Sequence, residues 1–348
     1  MHKLLMRSNK VPLLIFVILC LLVVIIFGDF SGEEVVADTV KYEYSGEVFV
    51  DRFSDLGNEN LIYPSQVRIS PFGEIVVMDM GNSCLYVFSQ EGKFLRRIGD
   101  KIDDPGQLKL PRYFDINSKG YIYVYDNGKK RITIFNPNGS FSGMIPVHLP
   151  NNSRFSINYK DQLVVNIPAK GYYITVISKE GRLVRNIGKI PVYNFTLPSV
   201  NSLFAEGFPF EDAEGDYFIF LKHMPMVKKY NSVGVQKEEF FLHKPHDKFI
   251  FPSDLTKDNM KLWVFLPDIV FKDSRFYVHL WKGELLVLDN RLNLLQHLFF
   301  DPNIMFEESD NYSWKNKAFA YSLEDSSVYF PTGNKREIYK FSKNRILY

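Results

Sequence analysis

Asp79 and Asp126 stand 47 residues apart, each closing an apolar run and opening a glycine-containing turn, Asp79-Met80-Gly81-Asn82 and Asp126-Asn127-Gly128-Lys129. A carboxylate in that place has two chemical uses. It can join others around a divalent cation, or it can accept the backbone N–H groups of the turn it opens. Turn capping explains why one residue type recurs at one repeat position, so capping is the expected role. Asn166 holds the equivalent place in a third copy and is expected to cap in the same way. His223 and His279 fall near comparable strand ends. With Asp79, Asp126 and Asn166 they make a metal set only if different units converge on a common axis. The seven histidines contain no HxH or HExxH spacing, and His243 and His246 lie on a loop, where a spacing of three implies no shared face.

The cationic candidates are Arg112 with Lys129, Lys130 and Arg131 in one turn and Lys335 and Arg336 in another. They offer a patch for an anion or an acidic partner; the plainer reading is a pair of solvated turns. Trp281 occupies a corresponding turn, where a large exposed ring serves recognition. Trp263 and Trp314 fall in connections and are expected to pack, and Cys84 is expected as a small buried residue. There is no Gly-x-Ser-x-Gly elbow, no phosphate-binding Walker loop, no Gly-x-Gly-x-x-Gly after a strand and no Ca²⁺ loop. No catalytic residue and no cofactor is predicted.

These residues must be positioned by a chain of 348 residues, 46% hydrophobic and 16% aromatic, which excludes wholesale disorder. Two cysteines exclude a disulfide framework and a thiolate zinc site. Residues 11–28, VPLLIFVILCLLVVIIFG, carry no charge and follow Lys3, Arg7 and Lys10. Eighteen helical residues reach roughly 27 Å, near the thickness of a bilayer core. The segment is expected to be a transmembrane signal anchor, residues 1–10 being its basic cytoplasmic flank and 29–348 lying outside on a single-pass cell-membrane protein. The alternative is a cleaved signal, giving a secreted or periplasmic protein. Residues 29–348 carry a formal charge of −1, which lacks the broad basic field of a nucleic-acid binder.

The exported part reads as short Val, Ile, Tyr and Phe strands separated by Gly, Asn, Asp and Pro turns. Pro64 and Pro111, Gly73 and Gly120, Asp79 and Asp126, and Gly92 and Gly139 all share the offset of 47. A four-stranded unit of that length cannot bury both faces alone and must stack on copies of itself. The predicted fold is all-β, a six-bladed β-propeller of four-stranded antiparallel blades near 64–99, 111–146, 154–188, 208–243, 267–300 and 318–348. Residues 29–39 are a spacer. The last unit nearly exhausts the chain after three strands, and an open strand edge is a liability. Ser45–Val50 matches Glu91–Arg96, so residues 40–53 are expected to supply the closing strand within a domain spanning 40–348.

The Pro that opens the first strand, the second strand Gly73 to Asp79, the Gly81-Asn82 turn and the Val87-Phe88 to Gly92 segment resemble the NHL-repeat six-bladed β-propeller family, especially its exported, membrane-anchored bacterial members. That family includes sensor ectodomains, protein and RNA scaffolds, and lyase or hydrolase relatives, of which the lyases use a histidine-bound metal. The expected function is a non-catalytic binding or sensing module. The partner would be a protein, a glycan or a small anionic ligand, with Arg112, Arg131 and Trp281 as contacts on the face of the second-to-third strand turns. The alternative is a propeller hydrolase or lyase with a divalent metal in the central channel, held by side chains such as Asp79, Asp126, Asn166, His223 or His279.

Overall fold

The computed structural model describes residues 43–50, 60–150, 153–191, 202–224, 226–242, 266–280, 284–299, 319–321, 327–331, 336 and 338–344. Residues 11–28, the 29–39 spacer, the three tryptophans, His243, His246 and Lys335 lie outside them. Among the described residues no helix is long and apolar enough to cross a membrane.

The described strands form six four-stranded antiparallel sheets arranged as a propeller, numbered here in the order of their first strands. Sheet 1 comprises Pro64–Ile69, Ile75–Asp79, Cys84–Phe88 and Phe94–Ile98. Sheet 2 repeats it with Pro111–Ile116, Ile122–Asp126, Arg131–Phe135 and Phe141–Ile145. Sheet 3 has Phe155–Ile157, Leu163–Val165, Tyr172–Ile177 and Leu183–Lys189. Sheet 4 has Gly207–Glu211, Tyr217–Leu221, Met226–Tyr230 and Gln236–Phe241. Sheet 5 has Asp268–Lys272, Arg275–Leu280, Glu284–Asp289 and Leu294–Phe299. Sheet 6 takes Ala320–Tyr321, Val328–Pro331 and Ile338–Asn344 from the end of the chain, and Glu43–Val50 lies antiparallel beside Ile338–Asn344 as its fourth strand.

Strand composition follows from this stacking. Both faces of a middle strand are covered, so Ile75–Asp79 and Ile122–Asp126 are buried at every position and carry apolar residues without alternation. The fourth strands are more exposed, alternating in Phe141–Ile145 and open at nearly every position of Gln236–Phe241, because their outer part meets water. Six apolar clusters fill the joints between consecutive sheets, including the one that joins sheet 6 to sheet 1 through Ala320, Tyr329 and Ile338 against Val67, Val77 and Tyr86. Between sheets 4 and 5, Phe276 lies 4.9 Å from Phe218, 4.8 Å from Phe220 and 4.5 Å from Phe271, ring centre to ring centre. Burying each such ring contributes about 1.5–3 kcal/mol.

Turns between first and second strands share one construction. Asn117 Oδ1 accepts from Lys119 N and Tyr121 N, and Asn158 Oδ1 from Lys160 N and Gln162 N. Ser70 Oγ and Asp212 Oδ1 do the same work in sheets 1 and 4. The fourth residue of the Ser70 turn must adopt a positive φ, and Gly73 takes +82° there, which an L side chain resists. In sheet 5 the turn between third and fourth strands places Leu292, not glycine, at φ +67°, a local strain that its packing against the sheet 4–5 cluster offsets.

Candidate functional site

The first strands line the axis, and a cavity of about 700 Å³ opens there on the side of the first-to-second strand turns. Its wall takes residues from all six sheets, among them Arg68, Tyr113, Asp115, Ser156, Asn158, Glu211, Lys272 and Ala320. Arg68 forms its floor. Nη1 donates to Asp268 Oδ2 at 2.8 Å and to the carbonyl of Phe319 at 2.8 Å, while Nη2 meets Asp268 Oδ1 at 3.2 Å and the Tyr113 hydroxyl at 3.1 Å. One guanidinium thus ties sheets 1, 2, 5 and 6 together across the axis. Asp268 is fully buried and also accepts the N–H of Phe319 at 3.0 Å. The paired carboxylate holds the Arg68 pKa above its ordinary value against the cost of burial.

Because Asp268 neutralises Arg68, the other acids of the cup are not balanced by it. Asp115 Oδ1 lies 3.9 Å from Arg68 Nε, too far for a hydrogen bond. Burial outweighs that attraction and pushes the Asp115 carboxyl up to about 6. Asp212 is likewise pushed up to about 6, chiefly by burial. Glu211 receives the Asn158 amide at 2.8 Å. Lys272 and Asp273 stand at the rim. The cup therefore presents carboxylates and amides, with Tyr113, Tyr159, Phe210 and Phe271 contributing rings.

The raised Asp115 value has a measurable sign. A folded-state pKa above the ordinary 3.8 means that the folded protein holds this proton more tightly than the unfolded chain. Stability from this group is full below 3.8 and is lost as pH rises to about 6. Asp115→Asn removes the dependence, so the variant's Tm relative to wild type is expected to rise across that window and level off above it. A difference that stays constant from pH 4 to pH 7 would show that Asp115 ionises without penalty.

The residues singled out in the sequence are placed otherwise. Asp79 is fully buried and accepts the N–H groups of Ile62, Tyr63, Gly81 and Asn82 at 2.7–3.0 Å. Asp126 does the same for Lys109, Leu110, Gly128 and Lys129 at 2.8–3.3 Å, each donor 47 residues from its counterpart. These carboxylates fasten the strand entry to the turn, and both are fully engaged in doing so. Asn166 departs from the aspartate pattern. Its Oδ1 accepts from Gly207 N, and its Nδ2 donates to the carbonyls of Tyr173 and Ala205, a two-way link that a carboxylate, having no donor, cannot make. His223 Nε2 lies 3.4 Å from Glu206 Oε2. His279 is buried between Phe319 and Phe330, its ring 5.6 and 5.2 Å from theirs, and among the described residues neither nitrogen has a hydrogen-bond partner. Burial lowers its pKa to about 3, so it is neutral. Among the described residues no three His, Cys, Asp or Glu side chains stand together to hold a metal.

Of the cationic candidates, Arg131 is engaged by the carbonyl of Pro105, by Thr133 Oγ1 at 3.2 Å and by Met144 Sδ at 3.1 Å. Lys130 and Arg336 are exposed at positive φ, and Lys129 and Arg112 are half-buried, the Arg112 Nε without a hydrogen-bond partner among the described residues. Trp281 and Lys335 lie outside the described residues. Sequence reasoning passed over Arg68, although a signal existed: Arg68 and Asp115 are 47 apart, so one position of the first strand carries a charged residue in two successive copies.

A family model described as a 6-bladed beta-propeller matches residues 57–183. No curated protein matches the chain. Several solved structures share the fold. A Bacteroides fragilis protein inferred to be exported is 13% identical, with a TM-score of 0.53 over 89% of this chain and 100% of that one. An auxiliary nutrient binding protein from Bacteroides thetaiotaomicron is 10% identical, with a TM-score of 0.52 over 87% and 77%. Virginiamycin B lyase from Staphylococcus aureus is 10% identical, with a TM-score of 0.51 over 86% and 99%. At these identities the likeness is one of fold.

Proposed function

We propose that the chain is an extracytoplasmic, non-catalytic binding module of six-bladed propeller form, and that its ligand is a short neutral glycan held in the axial cup. The cup carries the reading: about 700 Å³, lined from all six sheets, within the size range of small-molecule sites. Its chemistry selects among the partners considered from sequence. Unbalanced carboxylates at Asp115, Glu211 and Asp212 repel an anionic ligand and accept hydrogen bonds from hydroxyl groups beside aromatic rings. The apolar segment 11–28 supports membrane attachment with the propeller outside. The face of the second-to-third strand turns, where Arg112 and Arg131 lie, offers less, because Arg131 is already engaged. A metal-dependent lyase or hydrolase reading gains no support from Asp79, Asp126 or His279 as they are disposed.

The test is a thermal-shift screen of the full-length protein against neutral mono- and oligosaccharides, repeated on Asp115→Asn and Glu211→Gln. The expected result is stabilisation of wild type by one saccharide class, weakened in both variants by roughly tenfold in affinity, as loss of a charge-assisted hydrogen bond implies. Saccharide binding that both variants retain in full would place the ligand elsewhere.

A further inference from the structure

At the opposite end of the channel, two positive charges lie within electrostatic reach of each other, and one of them stands beside a negative charge. Arg154 directly precedes the first strand of sheet 3, and its carbonyl accepts the N–H of Asn166 at the far end of the second strand. Lys222 directly follows the second strand of sheet 4. Both therefore lie at the end of the second-to-third strand turns. The Arg154 guanidinium lies over the rings of Tyr113 at 5.0 Å and Phe208 at 5.9 Å, and among the described residues it makes neither a hydrogen bond nor an ion pair. Lys222 is largely buried, 14% exposed along its side chain, and its nearest carboxylate oxygen, Glu206 Oε2, is 3.9 Å away. That same oxygen lies 3.4 Å from His223 Nε2. Buried charges are ordinarily paired, since an uncompensated one costs several kcal/mol. Among the described residues Arg154 and Lys222 here carry two positive charges against the single negative charge of Glu206.

We infer that Arg154 and Lys222 form a binding site for a ligand carboxylate at the mouth of the channel opposite the cup. A monoanion balances the remaining charge, while Glu206 disfavours a dianion such as sulfate. The flat guanidinium, already oriented by two rings, suits a planar carboxylate, and Lys222 adds a point charge. The site stands independently of the glycan reading of the cup.

Lys222 also gives the site a pH signature. Burial, reinforced by the charge of Arg154 and opposed by that of Glu206, lowers its pKa to about 8. Among the described residues the groups facing it are Arg154 from sheet 3, Glu206 from the segment leading into sheet 4 and His223 on its own turn. Carboxylate affinity is full below about 8 and weakens above it, as the ammonium loses its proton.

The experiment is a thermal-shift titration of the full-length protein with sodium acetate, with sodium sulfate and sodium chloride at matched ionic strength as comparisons. Acetate is expected to stabilise wild type at neutral pH more than either salt, and Arg154→Gln and Lys222→Met are each expected to weaken its binding by roughly tenfold. In wild type the acetate response should fade above about pH 8, while Lys222→Arg, which keeps its charge, should retain it. The wild-type pH series and Lys222→Arg carry the test even where Lys222→Met or Arg154→Gln folds poorly. No acetate response in wild type, a response equal in wild type and both variants, a larger response to sulfate, or one independent of pH would each overturn the site.

Discussion

Arg68→Ala is expected to destabilise the propeller by about 3–5 kcal/mol, the usual penalty for stranding one member of a buried ion pair. The loss is large because the residue left behind is Asp268, fully buried, with the Phe319 N–H as its remaining hydrogen-bond donor among those described. The Phe319 carbonyl and the Tyr113 hydroxyl lose a donor as well. Arg68→Lys is expected to recover little, since an ammonium cannot bridge two carboxylate oxygens and a carbonyl in one planar fork. Arg68→Ala combined with Asp268→Asn should recover part of the loss, because the buried charge is removed together with its partner. Urea denaturation of the full-length variants measures all three. A double variant no more stable than Arg68→Ala would show that the penalty comes from lost packing and not from the orphaned carboxylate.

Deleting residues 40–53 is expected to exceed any single substitution. It removes Glu43–Val50, which pairs with Ile338–Asn344 along the length of that strand, and leaves an unpaired backbone edge on sheet 6 at the joint with sheet 1. Deleting residues 29–38 instead leaves that strand in place and should change Tm little. Beyond the lower Tm, the edge left open should show as concentration-dependent association on sizing. Equal Tm for the two deletions would mean that the strand contributes nothing to the stability of the ring.

The four-stranded antiparallel sheets were legible because each turn needs particular residues at particular places. Gly73 and Gly120 mark a positive φ, and Asp79 and Asp126 mark backbone donors that need an acceptor; such local demands repeat wherever the geometry does. The cup was not legible in the same way. Its members, Arg68, Asp115, Asn158 and Glu211, come from four sheets, three from first strands and Asn158 from the turn that follows one, and what unites them is convergence on the axis. Arg68 and Asp268 are 200 residues apart, and nothing local to either predicts the pair. Turn residues such as Lys130 and Trp281 drew attention through their type, whereas Arg154 and Lys222 matter through their surroundings, two cations beside the single carboxylate of Glu206 among the described residues, and that is visible only once neighbours are placed. Asn166 shows a further limit: one repeat position held a residue whose extra donor redirected it to the next sheet.

Hydrogen–deuterium exchange on the full-length protein, with and without the saccharide that stabilises it best, tests the cup most directly. Protection is predicted at the first-strand ends and their turns, around residues 68–73, 115–120, 156–161 and 211–215, which line or adjoin the cavity. Protection confined to the opposite turns, around 80–82 and 127–131, with none at the cup, would contradict the account.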